Sequence, residues 1–279
     1  HWLADGLHID SLTARGFGLD LALQGRLQPS GDWPLQAEAT LGLPAPEGKP
    51  WKLAVQVGGE LQQALTLKGR SSGYLDGSLE GQLQALAENL PARLLIRADG
   101  FKGAAGLPDT LTLNAIQLDA GGDLKNGYLI RGGASLPGEG GAVALSLDGR
   151  VDAQGADIRQ LRLDAGGEQR LELVGRLDWR ESLAADATLD WKDFPWLRLY
   201  PLAEPPPVTL KTFKAEVHYQ DQRYLGNFSA AASGPAGDFT LASPVSGDLV
   251  QLNLPSLQLR AGQGQAEGRV TLRFDNGVA

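Results

Sequence analysis

Apolar and polar residues alternate strictly along much of this chain, and that pattern leaves little but β-structure open. Leu19-Asp20-Leu21-Ala22-Leu23-Gln24 and Trp51-Lys52-Leu53-Ala54-Val55-Gln56-Val57 show it cleanly. Successive side chains of a strand point to opposite faces, so each run builds one apolar and one polar face. Further runs are Leu65 with Leu67, Leu111 with Leu113, Val143 with Leu145 and Leu147, and Leu171 with Leu173. Phe213-Ala215-Val217-Tyr219, Leu252 with Leu254, Leu257 with Leu259, and Val270-Leu272-Phe274 complete the series.

One phrase returns three times, as Ile116-Gln117-Leu118-Asp119-Ala120-Gly121, Leu161-Arg162-Leu163-Asp164-Ala165-Gly166 and Leu257-Gln258-Leu259-Arg260-Ala261-Gly262. Roughly 45 residues separate the first two glycines and about twice that the last two, the mark of an array of similar units. A second phrase, Gly-Arg before an apolar residue, occurs at Gly25, Gly149, Gly175 and Gly268. Glycine inside a strand marks a bulge or a close backbone approach, so its recurrence predicts a sheet that bends at a repeated position. Turn signals at Pro29–Asp32, Asp76-Gly77, Asp152–Gly155, Ser233–Pro235 and Asp275–Gly277 divide the chain into roughly 16 to 18 short strands. Stacked at about 4.8 Å, some 16 strands would extend about 75–80 Å. The expectation is an all-β, repetitive, curved sheet with an apolar groove and at most one or two short helices.

Two segments depart from alternation. Leu79, Leu83, Leu86 and Leu90 are spaced by three and four and stop before Pro91, which suits a helix. A strand pair is the other reading. Phe194 to Pro207 carries three consecutive prolines, which no central strand tolerates. It is expected to be an excursion dividing a segment 1–200 from its continuation 201–279.

Composition narrows the function classes. With 42% hydrophobic and 21% charged residues the chain is a folding sequence. No run approaches the ~20 apolar residues of a spanning helix. Met is absent even at position 1, so a processed product or fragment is expected, with any anchor outside it. Zero cysteines remove disulfides and thiol chemistry and fit an extracytoplasmic site. The net charge of −8, without a basic cluster, argues against nucleic acid and against anionic headgroup surfaces.

Reactive constellations are missing as well. Of three histidines, His218 shares a face with Lys214 and Glu216 as a solvated strand residue, and His8 lies near Asp10 without a third partner. No nucleophile elbow, phosphate loop or zinc-protease motif occurs. Gly262 to Gly268 has the wrong spacing and context for a dinucleotide site. Asp119 and Asp164 hint at calcium, but Arg260 replaces the acid in the third copy. Asn227-Phe228-Ser229 matches a glycosylation sequon without a context that supports it. No catalytic residue, metal, cofactor or nucleotide is therefore expected, and no enzyme. Trp179 and Trp191 each follow a Leu-Asp pair, where they either cap a strand end or close the rim of a groove.

Leu171-Glu172-Leu173-Val174-Gly175-Arg176-Leu177-Asp178-Trp179, running into Leu183 to Leu189, resembles the repeat of the TamB branch of the AsmA-like family. The resemblance covers Leu161 to Leu202 and implies a repeating periplasmic region anchored elsewhere in the inner membrane. It implies a β-taco, an open β-helix-like trough whose apolar interior carries phospholipid acyl chains towards the outer membrane. It also implies an outer-membrane partner of the TamA type, reached through regions outside this sequence. The expected lining is Leu19, Leu21, Leu23, Leu53, Val55, Val57, Leu65, Leu67, Leu111, Leu113, Ile116, Leu118, Val143, Leu145, Leu147, Leu161, Leu163, Leu171 and Leu173. It continues with Phe213, Ala215, Val217, Leu252, Leu254, Leu257, Leu259, Val270, Leu272 and Phe274. A scaffold for outer-membrane protein assembly is the second reading, and a carbohydrate-active parallel β-helix the third.

Overall fold

The computed structural model describes all residues except 4, 17, 46, 47, 105 and 275–279, so the Asp275–Gly277 turn signal lies outside the described residues. Among the described residues are nineteen strands, two 3-10 turns and no α-helix. None is a helix long and apolar enough to cross a membrane.

The strands fall into two compact units, His1–Pro137 and a second beginning at Gly138. The first holds β1 (Trp2–Leu3), β2 (Gly6–Gly16), β3 (Leu19–Leu27), β4 (Pro34–Leu43), β5 (Trp51–Glu60), β6 (Leu65–Gly73), β7 (Asp76–Leu83), β8 (Ala92–Asp99), β9 (Asn114–Asp123) and β10 (Gly127–Leu136). The second holds β11 (Val143–Val151), β12 (Gly155–Asp164), β13 (Arg170–Asp178), β14 (Ala184–Lys192), β15 (Thr209–Gln220), β16 (Arg223–Gly234), β17 (Gly237–Asp248), β18 (Gln251–Ala261) and β19 (Gly264–Arg273). Within each unit the strands form a meander, each paired antiparallel with its sequence neighbour. Antiparallel pairing throughout removes the parallel β-helix.

The turns are built from local chemistry. Asp152 accepts from the N–H groups of Gln154 (2.8 Å) and Gly155 (3.1 Å), which folds the chain back between β11 and β12. Asp221 and Gln222 both have positive φ, 52° and 63°, the twist that a two-residue hairpin between β15 and β16 requires. Asp76-Gly77, in contrast, is no turn. It opens β7, where Gly77 lies opposite Ala98 and its hydrogen faces the Arg97 carbonyl oxygen closely enough that a Cβ would sit at 2.6 Å.

The helical reading of Leu79–Leu90 fails for a related reason. Gly77, Leu79, Gly81 and Leu83 share one face of β7, paired with Ala98, Ile96, Leu94 and Ala92. Period two continues to Leu83, and a turn closed by Ala87 N–H to Gln84 O (3.2 Å) and Leu90 N–H to Ala87 O (2.9 Å) follows. Leu111 and Leu113 also leave the expected pattern: Leu111 ends the 3-10 turn Asp109–Leu111, and Leu113 makes an isolated bridge to Phe101. The Pro-rich excursion after β14 interrupts no pairing, because β14 and β15 run in register from Lys192↔Thr212 to Ala184↔Gln220.

The four Gly-Arg glycines are not bulges themselves; each lies opposite one. The extra residue falls on β2 across from Gly25, on β12 across from both Gly149 and Gly175, and on β18 across from Gly268. Bulges add local twist and bend the strand that carries them. A partner without a side chain lets the bent backbone approach, and a Cβ on Gly149 or Gly175 would sit 2.8 Å from a neighbouring strand's carbonyl oxygen. The edge-strand Gly268 has open space instead.

Candidate functional site

Register converts alternation into continuous apolar rows that run from strand to strand. In the first unit one row reads Leu21, Leu41, Leu53, Ser71, Gly77, Ala98 and Ile116; the next reads Leu23, Ala39, Val55, Gly69, Leu79, Ile96 and Leu118. In the second unit Leu147, Leu161, Leu173, Leu189, Ala215 and Phe228 form one row, and Leu145, Leu163, Leu171, Trp191, Phe213 and Ala230 another. The opposite face carries the charge, as in Gln24, Glu38, Gln56, Lys68 and Glu80. Gln24 and Gln56 both donate to Glu38, at 2.9 and 3.2 Å.

Small residues form a middle row that sequence reading did not pick out. In the second unit it is Gly149, Ile158, Gly175, Ala187, Val217, Gly226 and Val245, in which glycine and alanine are interspersed with β-branched residues. At three of its glycines a neighbouring carbonyl oxygen lies 2.0–2.8 Å from where a Cβ would be, so the backbones of adjacent strands approach closely along this line. Glycines spaced across successive runs at equal distance from the turns were the signal in the sequence.

This face is apolar without being sealed. Only eight apolar side chains are buried among the described residues. Leu53, Val55, Leu67, Leu145, Leu163, Leu173 and Phe213 are all half-buried, while their polar neighbours along the strand are mostly exposed. The chain exposes 17446 Å² at 29.5 kDa, against about 11,500 Å² for a typical folded monomer of that mass. A closed barrel or sandwich would bury this face.

The expected lining residues are mostly brought together. Leu21, Leu23, Ile116, Leu118, Leu171 and Ala215 lie in the rows, and Val217 in the middle row; Val57 opposes Leu67, Leu259 opposes Leu241, Leu257 opposes Gly268, Leu254 opposes Val270, and Leu252 opposes Leu272. Leu19 and Leu272 are exposed at 42% and 47%; Leu65 and Val143 are buried. Leu111 and Leu113 lie off the ladder, and Phe274 follows β19.

The two tryptophans separate. Trp179 caps a turn, its Nε1 donating to Ala153 O at 3.0 Å. Trp191 lies in the apolar row between Leu171 and Phe213, and Phe194 packs edge-on against it with centroids 5.3 Å apart. Phe194 and Leu199, both buried, fold the excursion over that end of the apolar face. In the first unit Phe101, Tyr74 and Trp51 make a corresponding edge-on chain at 6.2 and 5.7 Å.

Titratable groups gather no chemistry. His8 bonds Asp5 rather than Asp10, and Asp10 instead faces His1 at 3.2 Å. No group of three metal-binding side chains occurs among the described residues. Asn227 of the sequon lies mid-strand on the polar face, opposite Glu216. Arg180 holds the Asp178 carboxyl down to about 2 through its hydrogen bonds. His218 Nδ1 lies 2.7 Å from Asp186 Oδ1 on the polar face, and that hydrogen bond raises its pKa above 6.5. Its stabilising contribution is present in full below the unfolded value and is lost as pH rises through the folded one. In an NMR titration the His218 ring is expected to titrate above 6.5 and to move back down in Asp186→Asn; an unchanged midpoint would contradict the pairing.

Open antiparallel meanders, each with a continuous apolar face, are the class that this fold defines. The chain belongs to the TamB family: the family model described as the TamB N-terminal domain matches residues 2–204. It is 25% identical over 281 residues to the translocation and assembly module subunit TamB of Haemophilus influenzae, covering 92% of this chain and 20% of that protein. The chain thus spans about a fifth of the length of that relative. No solved structure matches it significantly.

Proposed function

We propose that this chain is a segment of a hydrophobic conduit in which phospholipid acyl chains lie on the apolar face and slide from strand to strand. The observation that carries the reading is continuity of apolar rows that remain half-exposed. Each methylene moved out of water contributes about 0.8 kcal/mol, so a long chain is held, while a uniform wall of Leu, Val and Ala offers no single deep minimum. Membership of the TamB family supports a periplasmic place in a protein anchored in the inner membrane, with transfer towards the outer membrane. No nucleotide motif is present, so the driving force comes from elsewhere.

A second reading is supported by the name of the Haemophilus relative: a scaffold that receives polypeptide during outer-membrane protein assembly, with a TamA-type partner. Strand edges are the usual means of such capture.

A photoreactive amino acid placed at Leu173 or Val55 in a Gram-negative cell separates the two. Phospholipid adducts are expected there, and none from Glu172 or Gln56, the adjacent positions on the opposite face. Polypeptide adducts at Leu173 and Val55 would transfer the assignment to the scaffold, and adducts of neither kind would refute both.

A further inference from the structure

The two aromatic excursions differ in how each treats its cation. In the first unit Lys102 follows Phe101, and its Nζ lies 2.9 Å from Asp109 Oδ1, so the charge is matched within the excursion. In the second unit the excursion carries Arg198, which has no carboxylate partner among the described residues. Its backbone carbonyl accepts from Glu139 N–H at 2.8 Å, and its Nη1 donates to Ala165 O at a long 3.3 Å. Three other cations at this end of the strands are matched: Lys192 with Glu168, Lys211 with Asp238, and Arg162 with Asp164. Asp164, next to Ala165, is engaged by Arg162 and by Gly166 N–H (2.9 Å).

The place of this guanidinium matters as much as its charge. Ala165 is two residues beyond Leu163, about 7 Å along the strand direction, so Arg198 stands at the rim where the apolar row ends. Glycines flank it: a Cβ on Gly141 would lie 4.0 Å from Arg198 Nη1, and one on Gly138 would lie 3.7 Å from Arg198 Cβ. A half-buried guanidinium between two glycines, with most of its donors unused, suits a tetrahedral oxyanion.

We propose that Arg198 seats the phosphodiester of a lipid whose acyl chains rest against Leu163, Leu171 and Trp191, making it a determinant of headgroup selection. This rests on the conduit reading and deepens it. The rows elsewhere hold a chain without registering its headgroup; this rim would register the phosphate.

The test exposes the purified chain to phosphatidylglycerol vesicles containing a minor share of diacylglycerol with the same acyl chains, and reads bound lipid by native mass spectrometry. Normalised to supply, wild type is expected to favour the phospholipid about tenfold, in line with charge-assisted hydrogen bonds. Arg198→Gln is expected to bring that preference close to one with diacylglycerol uptake unchanged, and Arg198→Lys to keep part of it. Equal uptake of both lipids by wild type, or a preference that survives Arg198→Gln, would overturn the seat and leave the conduit standing. Uptake of neither lipid would sink the conduit and the seat together. Inorganic phosphate alone, at millimolar concentration, is expected to leave the Arg198 side-chain NMR signals in place; a shift would assign the seat to the free ion and overturn its lipid role.

Discussion

Leu163→Asp is expected to cut bound phospholipid by about a hundredfold while leaving the strands paired. Leu163 sits in the middle of an apolar row, opposite Leu145 on one side and Leu171 on the other. It is half-buried, so without lipid an aspartate there keeps access to water, and the cost to folding is small. The cost appears when an acyl chain covers it. A carboxylate must then lose its hydration without gaining a partner, and such desolvation costs several kcal/mol. The adjacent Ser146, paired with Arg162 on the polar face, supplies the control: Ser146→Asp adds the same charge and is expected to leave lipid uptake unchanged. Native mass spectrometry of both variants, with circular dichroism to confirm strand content, decides the matter. Full uptake by Leu163→Asp would show that chains do not cross this row.

The difference between these variants lies in one residue's parity, and parity is the part of this fold that the sequence displays most openly. Leu53, Val55 and Val57 alternate with Lys52, Ala54 and Gln56, and the structure puts the two sets on opposite faces as period two demands. Pairing of sequence neighbours then follows from short turns such as Asp152–Gly155. Curvature was legible in kind but not in mechanism. The Gly-Arg phrase marks bending, yet the extra residue lies on the facing strand, because a bulge and the glycine that accommodates it are partners across a ladder. No reading of one strand alone reveals that.

Segments that leave the ladder were harder to see. Leu111 and Leu113 look like a strand by spacing, but Pro108 and Asp109 before them begin a 3-10 turn that the Lys102–Asp109 pair helps to fix. The glycines and proline between Phe101 and Asp109 were the available signal. Leu79 to Leu90 misleads in the other direction, since leucines at spacing three and four also arise when a strand ends and a turn begins. The packing of Phe194 on Trp191 depends on where a fourteen-residue excursion returns, which is a tertiary fact. Arg198 gave no sign of itself in the sequence; its lack of an acid partner is visible only beside the matched Lys192 and Lys211.

Gly226→Val is expected to be strongly destabilising in the second unit. Valine has a high strand propensity, so on propensity alone this substitution in β16 should help. Geometry reverses the sign. A Cβ at Gly226 would overlap the carbonyl oxygen of Glu216 and stand 3.0 Å from Val217 Cα, both on the backbone of β15. No rotamer relieves a clash with a neighbouring strand's main chain, so the pair must separate or slip. A slip of one residue would turn Phe228 and Ala230, in their two apolar rows, to the other face. The expected loss is on the order of 3–5 kcal/mol, within the range for severe core or backbone disruption. It is read as a lower urea midpoint and as loss of amide exchange protection in β15 and β16. Gly268→Val tests whether the close approach, rather than glycine as such, is responsible. Gly268 opens the same Gly-Arg phrase that marks Gly149 and Gly175, but a Cβ there meets nothing within 4 Å. Its substitution is expected to stay within about 0.5 kcal/mol of wild type. Equal destabilisation at both positions would mean that the close approach of the backbones is not what makes glycine necessary.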